Sequence, residues 1–331
     1  MTKKLPSKVR ALAGVALLAL AGAAQAAYPD KVITLIAPYS AGGDSDLAAR
    51  NFANAASKAL GNPVIVVNKV GASGVLGSSQ ALAAAPDGYT LLLARPGSQA
   101  ILPAIMPTRT KYKWNEFTMV GLLELNAYGC MAKASSYKTF AELIEAIKKD
   151  GKTLNFGTAG VLTTNDMGPR QLFNMLKLGA HNTPTQIPYK GTGEATASLL
   201  AGQTQFACGS IGSFLPLIAN GDLRALMVTT PERMPSLPDV PTARELGYAE
   251  MERITGWSGI YGPPGLPAAI VQKLSAALQE VAKDPAWVKA THMTGSIPFL
   301  KNPEETRQFV KGQFDVYRSL GESLNIIDKG D

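Results

Sequence analysis

A short apolar run of strand length, a turn of small residues and the start of a helix follow one another in Val32–Arg50, VITLIAPYSAGGDSDLAAR, and the same succession returns down the chain. No other feature narrows the choice of fold as much, because repeated βα units demand a parallel sheet with helices over its faces. Val32, Ile33, Leu35 and Ile36 make the first strand, and Pro38 ends it for want of an N–H to give the ladder. Ala41-Gly42-Gly43 permits a tight turn and close backbone approach. Asp44 or Ser45 can then cap a helix with Leu47, Ala48 and Phe52 on its apolar side. Such a turn leaves helix N–H groups unpaired at the end of the sheet, which suits an anion, although an ordinary α/β loop reads the same way.

Pro63–Asn68 is a second buried strand, and the glycine-rich loop 71–77 leads into a helix over 77–85. Pro86-Asp87-Gly88 turns into the strand Tyr89–Ala94, which ends in the loop Arg95–Gln99. Three βα units in a row imply a doubly wound parallel sheet with its ligand crevice at the carboxyl ends of the strands. A second set follows. Thr118–Lys133 is extended, and Thr139–Lys149 is helical, with Phe140, Leu143, Ile144 and Ile147 at helical spacing. Strands at 154–157, 186–189 and 205–208 each open into a polar or glycine-bearing turn, and Arg224–Thr229 is a further strand. Trp257–Pro264 and the helices around 267–283 and 303–324 lack partners of their own and are expected to return to the first domain. Two lobes result, one over 27–125 and 254–331 and the other over 126–253, joined by crossings near 118–128 and 250–257.

The first 26 residues stand apart. Lys3, Lys4, Lys8 and Arg10 precede the apolar segment 11–22, and Ala24-Gln25-Ala26 supplies the small residues of a cleavage site. The apolar segment falls well short of the ~20 residues that span a bilayer, so a signal peptide over 1–26 and an exported, periplasmic protein are predicted. That segment holds four basic and no acidic side chains, so the remaining chain carries +7 − 4 = +3, too mild to suggest nucleic acid. Cys130 and Cys208 make no disulfide framework; in predicted strands of one domain they either pair or remain two buried thiols. His181 and His292 lack metal-ligand spacing and read as surface residues.

Several stretches together resemble the periplasmic solute-binding proteins of tripartite tricarboxylate transporters, the Bug family. They are Tyr28-Pro29-Asp30-Lys31, the Pro38–Asp46 turn, VNKVGASGVLG (67–77), APDGYTLLLA (85–94), the 157–165 loop, IPYKGTGEA (187–195), GQTQFACGS (202–210), LRALMVTTPER (223–233) and GPPGLPAAIVQKL (262–274). Each is weak alone; their order over essentially the whole exported chain is specific. The resemblance implies an α/β fold of two lobes, a type II binding protein of the Venus flytrap kind, each lobe a mainly parallel sheet flanked by helices. It implies a monomer without cofactor or metal that holds a small carboxylate between the lobes, performs no chemistry and serves membrane transporter subunits. The ligand contacts it implies are Tyr39, Ser40, Ala41, Gly43 and Asp46 from the first βα loop. Facing them would be Thr158, Ala159, Gly160, Thr163, Thr164 and Asn165, with Ser98, Tyr189 and Ser210 in support.

The chain departs from the family at ligand-facing ends. Asp44 stands where glycine is common, Gly209-Ser210 where an acid and asparagine are common, and Asp166 near a common histidine. Loss of an acid at 209 would leave room and remove negative charge, which suits a bulkier or aromatic acid, of which terephthalate is an example. Arg95, after a strand end, and Lys190 could each salt-bridge a ligand carboxylate. Plainer readings stand beside these: both pair with nearby acids or solvent, Trp257 fills the hinge rather than stacking on a ligand, and Asp46 favours a helix dipole whatever binds. An exported enzyme finds little support, since no nucleophile elbow, phosphate-loop lysine or G-x-G-x-x-G after the first strand is present. A ligand-presenting partner of a membrane signalling kinase is the other alternative.

Overall fold

Residues 28–328 are described by the structure, a computed structural model; the expected signal peptide lies outside the described residues. Eleven strands are found among them: β1 (Ile33–Ala37), β2 (Val64–Asn68), β3 (Thr90–Ala94), β4 (Thr118–Asn126), β5 (Tyr128–Lys133), β6 (Asn155–Thr158), β7 (Thr185–Pro188), β8 (Phe206–Ser210), β9 (Leu223–Val228), β10 (Gly256–Gly262) and β11 (Ser296–Lys301). They form two sheets, one in the order β11-β4-β10-β3-β1-β2 and the other β7-β6-β8-β5-β9. The longer helices are α1 (Asp44–Leu60), α2 (Val75–Leu82), α3 (Phe140–Asp150), α4 (Thr164–Met175), α5 (Thr192–Leu200), α6 (Ala268–Lys283), α7 (Pro285–Met293) and α8 (Pro303–Ser323).

Both sheets are mixed. In the first, β1 lies parallel to β2 and β3, while β10 is antiparallel to β3 and to β4, and β11 to β4. In the second, β6 lies parallel to β7 and β8, while β5 is antiparallel to β8 and β9. Most strands of each sheet thus share one direction, and the exceptions have a topological cause. The extended run 118–133 is broken at Ala127, where β4 leaves one sheet and β5 enters the other. A strand that arrives from the edge at which its neighbours end must run against them, which describes β5 and, on the return, β10. β11 starts at that edge too, since Ser296 pairs with Asn126. The crossing is pinned by bonds from Ala127 N to the Gly295 carbonyl at 3.1 Å and from Ile211 N to the Ala127 carbonyl at 2.8 Å.

Burial of apolar side chains fixes the layers. α1 lays Ala48, Ala49, Phe52, Ala53 and Ala56 on the first sheet, and small residues let helix and sheet approach closely. Leu47, expected on that face, is exposed, because a helix turns each residue 100° from the last and Leu47 falls beyond the stripe set by its neighbours. α6 and α7 return to this lobe: Trp287 is buried against α1, and Asn51 Nδ2 donates to Thr291 Oγ1 at 3.0 Å. In the other lobe α3 buries Phe140, Leu143, Ile144 and Ile147 at the expected spacing, capped by Thr139, whose side chain accepts from Glu142 N. α8 begins with a reciprocal capping box between Asn302 and Glu305 and buries Tyr317 in the core continuous with both lobes.

Trp257 is fully buried and packs edge-to-face on Phe309, so it fills the core beside the crossing, the plainer of its two readings. Cys130 and Cys208 oppose each other across β5 and β8 and are joined in a disulfide, which selects pairing over free thiols. His181 and His292 are exposed. No group of three or more His, Cys, Asp or Glu is placed to hold a metal ion among the described residues, and no described helix is long and apolar enough to cross a membrane.

Candidate ligand-binding site

Each lobe builds its first turn at the cleft in the same way. After β1, Gly42 takes a left-handed conformation (φ 77°) and its N–H donates to Asp46 Oδ2 at 3.0 Å, four residues ahead. Arg50 pairs with the same acid one helical turn further on, and Asn68 Nδ2 donates to Asp46 Oδ1 at 3.0 Å. After β6, Leu162 takes the left-handed conformation (φ 55°) and donates to Asp166 Oδ2 at 2.8 Å, while Arg170 donates to Asp166 Oδ1 at 2.7 Å. A leucine in that region costs about 1 kcal/mol, and the bond to Asp166 helps hold it there. The two acids titrate in opposite directions. Burial disfavours the Asp46 charge, but the bonds from Arg50, Gly42 and Asn68 together outweigh it and hold the carboxyl below the usual range. At Asp166 burial prevails over Arg170 and the Leu162 bond, and pushes the carboxyl up.

These turns aim helix N-termini at one another across the lobes. α1, α4 and α5 begin at Asp44, Thr164 and Thr192, and none of the three has a side chain capping its first turn. The partial positive charge of three helix starts therefore converges on one place. Lining it are Tyr39, Asp44, Arg95, Pro96, Gly97, Ala159, Thr163, Thr164, Asn165 and Thr192. Gly97 opens a turn of π-helix, a distortion that recurs at functional sites.

The lobes are in contact here. Thr192 Oγ1 donates to Asp44 Oδ1 at 2.8 Å, and Ser40 N reaches the Lys190 carbonyl at 3.4 Å. A Cβ built on Gly43 would lie 3.4 Å from Gly193 N, and one on Gly160, whose φ of 122° already favours glycine, 2.6 Å from Ser73 Oγ. The cavity between them measures about 20 Å³, room for about one water, so a solute enters only if the lobes part.

Of the residues expected at the ligand, Tyr39, Ala159, Thr163, Thr164 and Asn165 line the cavity. Asn165 is buried and its Nδ2 has no partner, a donor whose desolvation is uncompensated. Ser40, Ala41, Gly43 and Gly160 instead form the seam where the lobes touch or its rim. Asp46 is turned into its own loop, Thr158 accepts from Gln186, and Ser98 accepts from Gln99 and, through its carbonyl, from Tyr112. Tyr189 donates to Ser198 inside its own lobe at 2.6 Å, and Ser210 lies at the crossing beside Gly256. Lys190 is exposed, and of it only the backbone reaches the other lobe. The room expected from glycine at 209 is taken by Asn165, whose amide packs on the Gly209 Cα. Asp166, read as ligand-facing, is fully buried within its turn.

Asp44, Arg95, Pro96, Gly97 and Thr192 are the lining residues that are not among the contacts implied by the resemblance. Arg95 pairs with a nearby acid, the plainer of its two readings: its guanidinium is held by Asp44 on one side and donates to Ser258 Oγ at 2.6 Å on the other. Ser258 in turn donates to Glu124 Oε1 at 2.9 Å, and Asn126 Nδ2 donates to the same oxygen at 3.0 Å. Burial pushes the Glu124 carboxyl up, against the pull of Arg95. A chain of polar side chains thus runs from the cleft to the crossing at Ala127.

Comparison with known proteins places this architecture. Residues 48–326 match the model of the tripartite tricarboxylate transporter family receptor. The chain belongs to that receptor family. A UPF0065 protein of Agrobacterium vitis is 37% identical to this receptor over 83% of its chain and 78% of the relative. BugT of Bordetella pertussis is 30% identical over 90% of this chain and 91% of its own. Among solved structures, periplasmic binding protein BugD superposes with a TM-score of 0.85 at 30% identity, over 91% of this receptor and 99% of BugD. MatC from Rhodopseudomonas palustris, solved with bound malate, superposes with a TM-score of 0.82 at 28% identity, over 89% of this receptor and all (100%) of MatC.

Proposed function

We propose that this receptor captures a small organic carboxylate in the periplasm, performs no chemistry on it and presents it to the membrane subunits of a tripartite tricarboxylate transporter. The observation that carries the reading is the convergence of three uncapped helix starts, the unpartnered Asn165 amide and Arg95 on one cavity between two lobes. Backbone N–H groups and neutral donors bind a carboxylate with little buried countercharge to desolvate. The lobes are taken as 27–125 with 254–331, and 126–253, in a monomer. Because solute contacts come from both lobes, the bound acid favours the closed arrangement by its differential affinity. MatC, with its malate, supports a carboxylate as the class of ligand.

Within that class the proposal extends to an aromatic dicarboxylate such as terephthalate, supported by the missing negative charge at 209 alone, since Asn165 occupies the room beside that glycine. The experiment is a thermal-shift screen of aliphatic and aromatic mono- and dicarboxylates on purified protein, followed by competition titration. A binder at a hundred times its Kd adds about 2.7 kcal/mol of stability. Tight citrate or malate binding with no aromatic binding overturns the aromatic extension, and no response to any carboxylate overturns the function.

A further inference from the structure

The corner of the cleft made by Arg95 and Thr192 already holds a carboxylate, that of Asp44. Arg95 is 4% exposed and fixed from behind through Ser258, while Asp44 sits at the first position of α1 with a side chain still 17% exposed. The two oxygens of Asp44 divide their partners between the lobes: Oδ2 takes the guanidinium of its own lobe, and Oδ1 takes the Thr192 hydroxyl at the start of α5 in the other. A guanidinium, a hydroxyl and a helix N-terminus around one carboxylate are the donors that an acidic solute group would want there. Parting of the lobes removes Thr192 from Asp44 and wets its exposed side, whereas Arg95 stays buried on Ser258.

Building on the carboxylate-capture reading, we propose that this corner is a second carboxylate subsite which Asp44 fills from within the chain, and that the solute is a diacid whose second acidic group displaces Asp44 from Arg95. The first acidic group goes to Thr164, Asn165 and the start of α4 in the opposite lobe. A monoacid uses only that end and leaves Asp44 in place. Asp44 therefore serves as an internal competitor. It keeps the buried arginine paired when no diacid is bound, and it screens out solutes that cannot replace it with an equivalent group. The exchange trades one carboxylate for another on Arg95, so the arginine is never left without a counterion.

Isothermal titration of the wild type, Asp44→Asn and Asp44→Gly with succinate, malate and terephthalate, and with monomethyl terephthalate as the one-carboxylate probe, tests this. Circular dichroism first establishes that each variant is folded, and the glycine variant serves if asparagine is not tolerated. Removal of the competitor is expected to tighten the best-bound diacid at least tenfold and the monoester less than threefold. Acetate at millimolar concentration is expected to raise the Tm of either variant, by restoring a partner to Arg95, more than it raises that of the wild type. Unchanged or weaker diacid binding in both variants overturns the proposal, because Asp44 then either contacts the solute directly or plays no part. Carboxylate binding with no preference for diacids overturns it too while leaving the function standing. A failure of every acid to bind either form overturns the function itself.

Discussion

Replacing Asp46 by alanine should loosen the first cleft turn by an amount the structure allows to be worked out. The carboxylate accepts from Gly42 N and Asn68 Nδ2, each at 3.0 Å, and pairs with Arg50 at 2.9 Å. Hydrogen bonds to a buried charged acceptor contribute about 1.5–3 kcal/mol each at most, but Gly42 is exposed and can be rehydrated after the change. Arg50 has a half-exposed side chain, so its ion pair adds no more than about 1 kcal/mol. A total loss of about 2–3 kcal/mol follows, which lowers Tm by roughly 3–5 °C in a chain of this size. The pH dependence has a definite sign. The folded-state pKa of Asp46 lies below its unfolded value of about 3.9, so its stabilisation is complete well above that pH and disappears as pH falls through the folded value. Thermal unfolding followed by circular dichroism between pH 7 and pH 3 should show the full gap between wild type and Asp46→Ala at neutral pH, narrowing below about pH 4. A neutral-pH difference under about 0.5 kcal/mol, or a gap that persists in acid, would show that the turn is held by its backbone and not by this acid.

Gly193→Val should impair solute capture without unfolding the protein. A Cβ there already lies 3.5 Å from Gly42 C and Gly43 N of the other lobe, and methyls about 1.5 Å further out keep the lobes apart. A tenfold or larger fall in affinity with an unchanged Tm is expected by titration calorimetry, and an unchanged affinity would show that closure at this seam is not needed. Reducing the disulfide, or replacing both Cys130 and Cys208 by alanine, opens a loop of 78 residues and should cost about 4 kcal/mol in denaturant titrations, with a loss under about 1 kcal/mol counting against a stabilising role. Small-angle scattering should show a smaller radius of gyration once a bound acid saturates the protein, and equal radii with and without it would contradict hinge closure.

The fold was legible in the chain because its signals are local. Apolar runs of strand length, glycine and proline at their ends, and helical spacing such as Phe140-Leu143-Ile144-Ile147 depend on near neighbours, and they name the βα units whatever lies beyond. Tyr39, Ala159, Thr163, Thr164 and Asn165, which line the cavity, were named by the resemblance and not by these local signals, which mark only the loops after the strands as the sheet end. Direction of the entering strands was not legible: β5 and β10 read like the rest, and only the crossing of the chain between sheets turns them round.

Long-range partnership was settled by tertiary structure alone. Sequence left Arg95 with any acid in reach, and the folded chain selected Asp44, 51 residues away, adding Thr192, 148 residues from that aspartate. Spacing likewise could not tell that Asp46 and Asp166 face inward to hold their own turns, or that Asn165 takes the room beside Gly209. Two cysteines in predicted strands fitted pairing or free thiols, until the register of β5 on β8 set them opposite one another. The physical division is between forces that act along a few residues, which any reader of the chain can follow, and contacts whose partners are brought together only when each lobe folds or, for Thr192 and Asp44, when the two lobes meet.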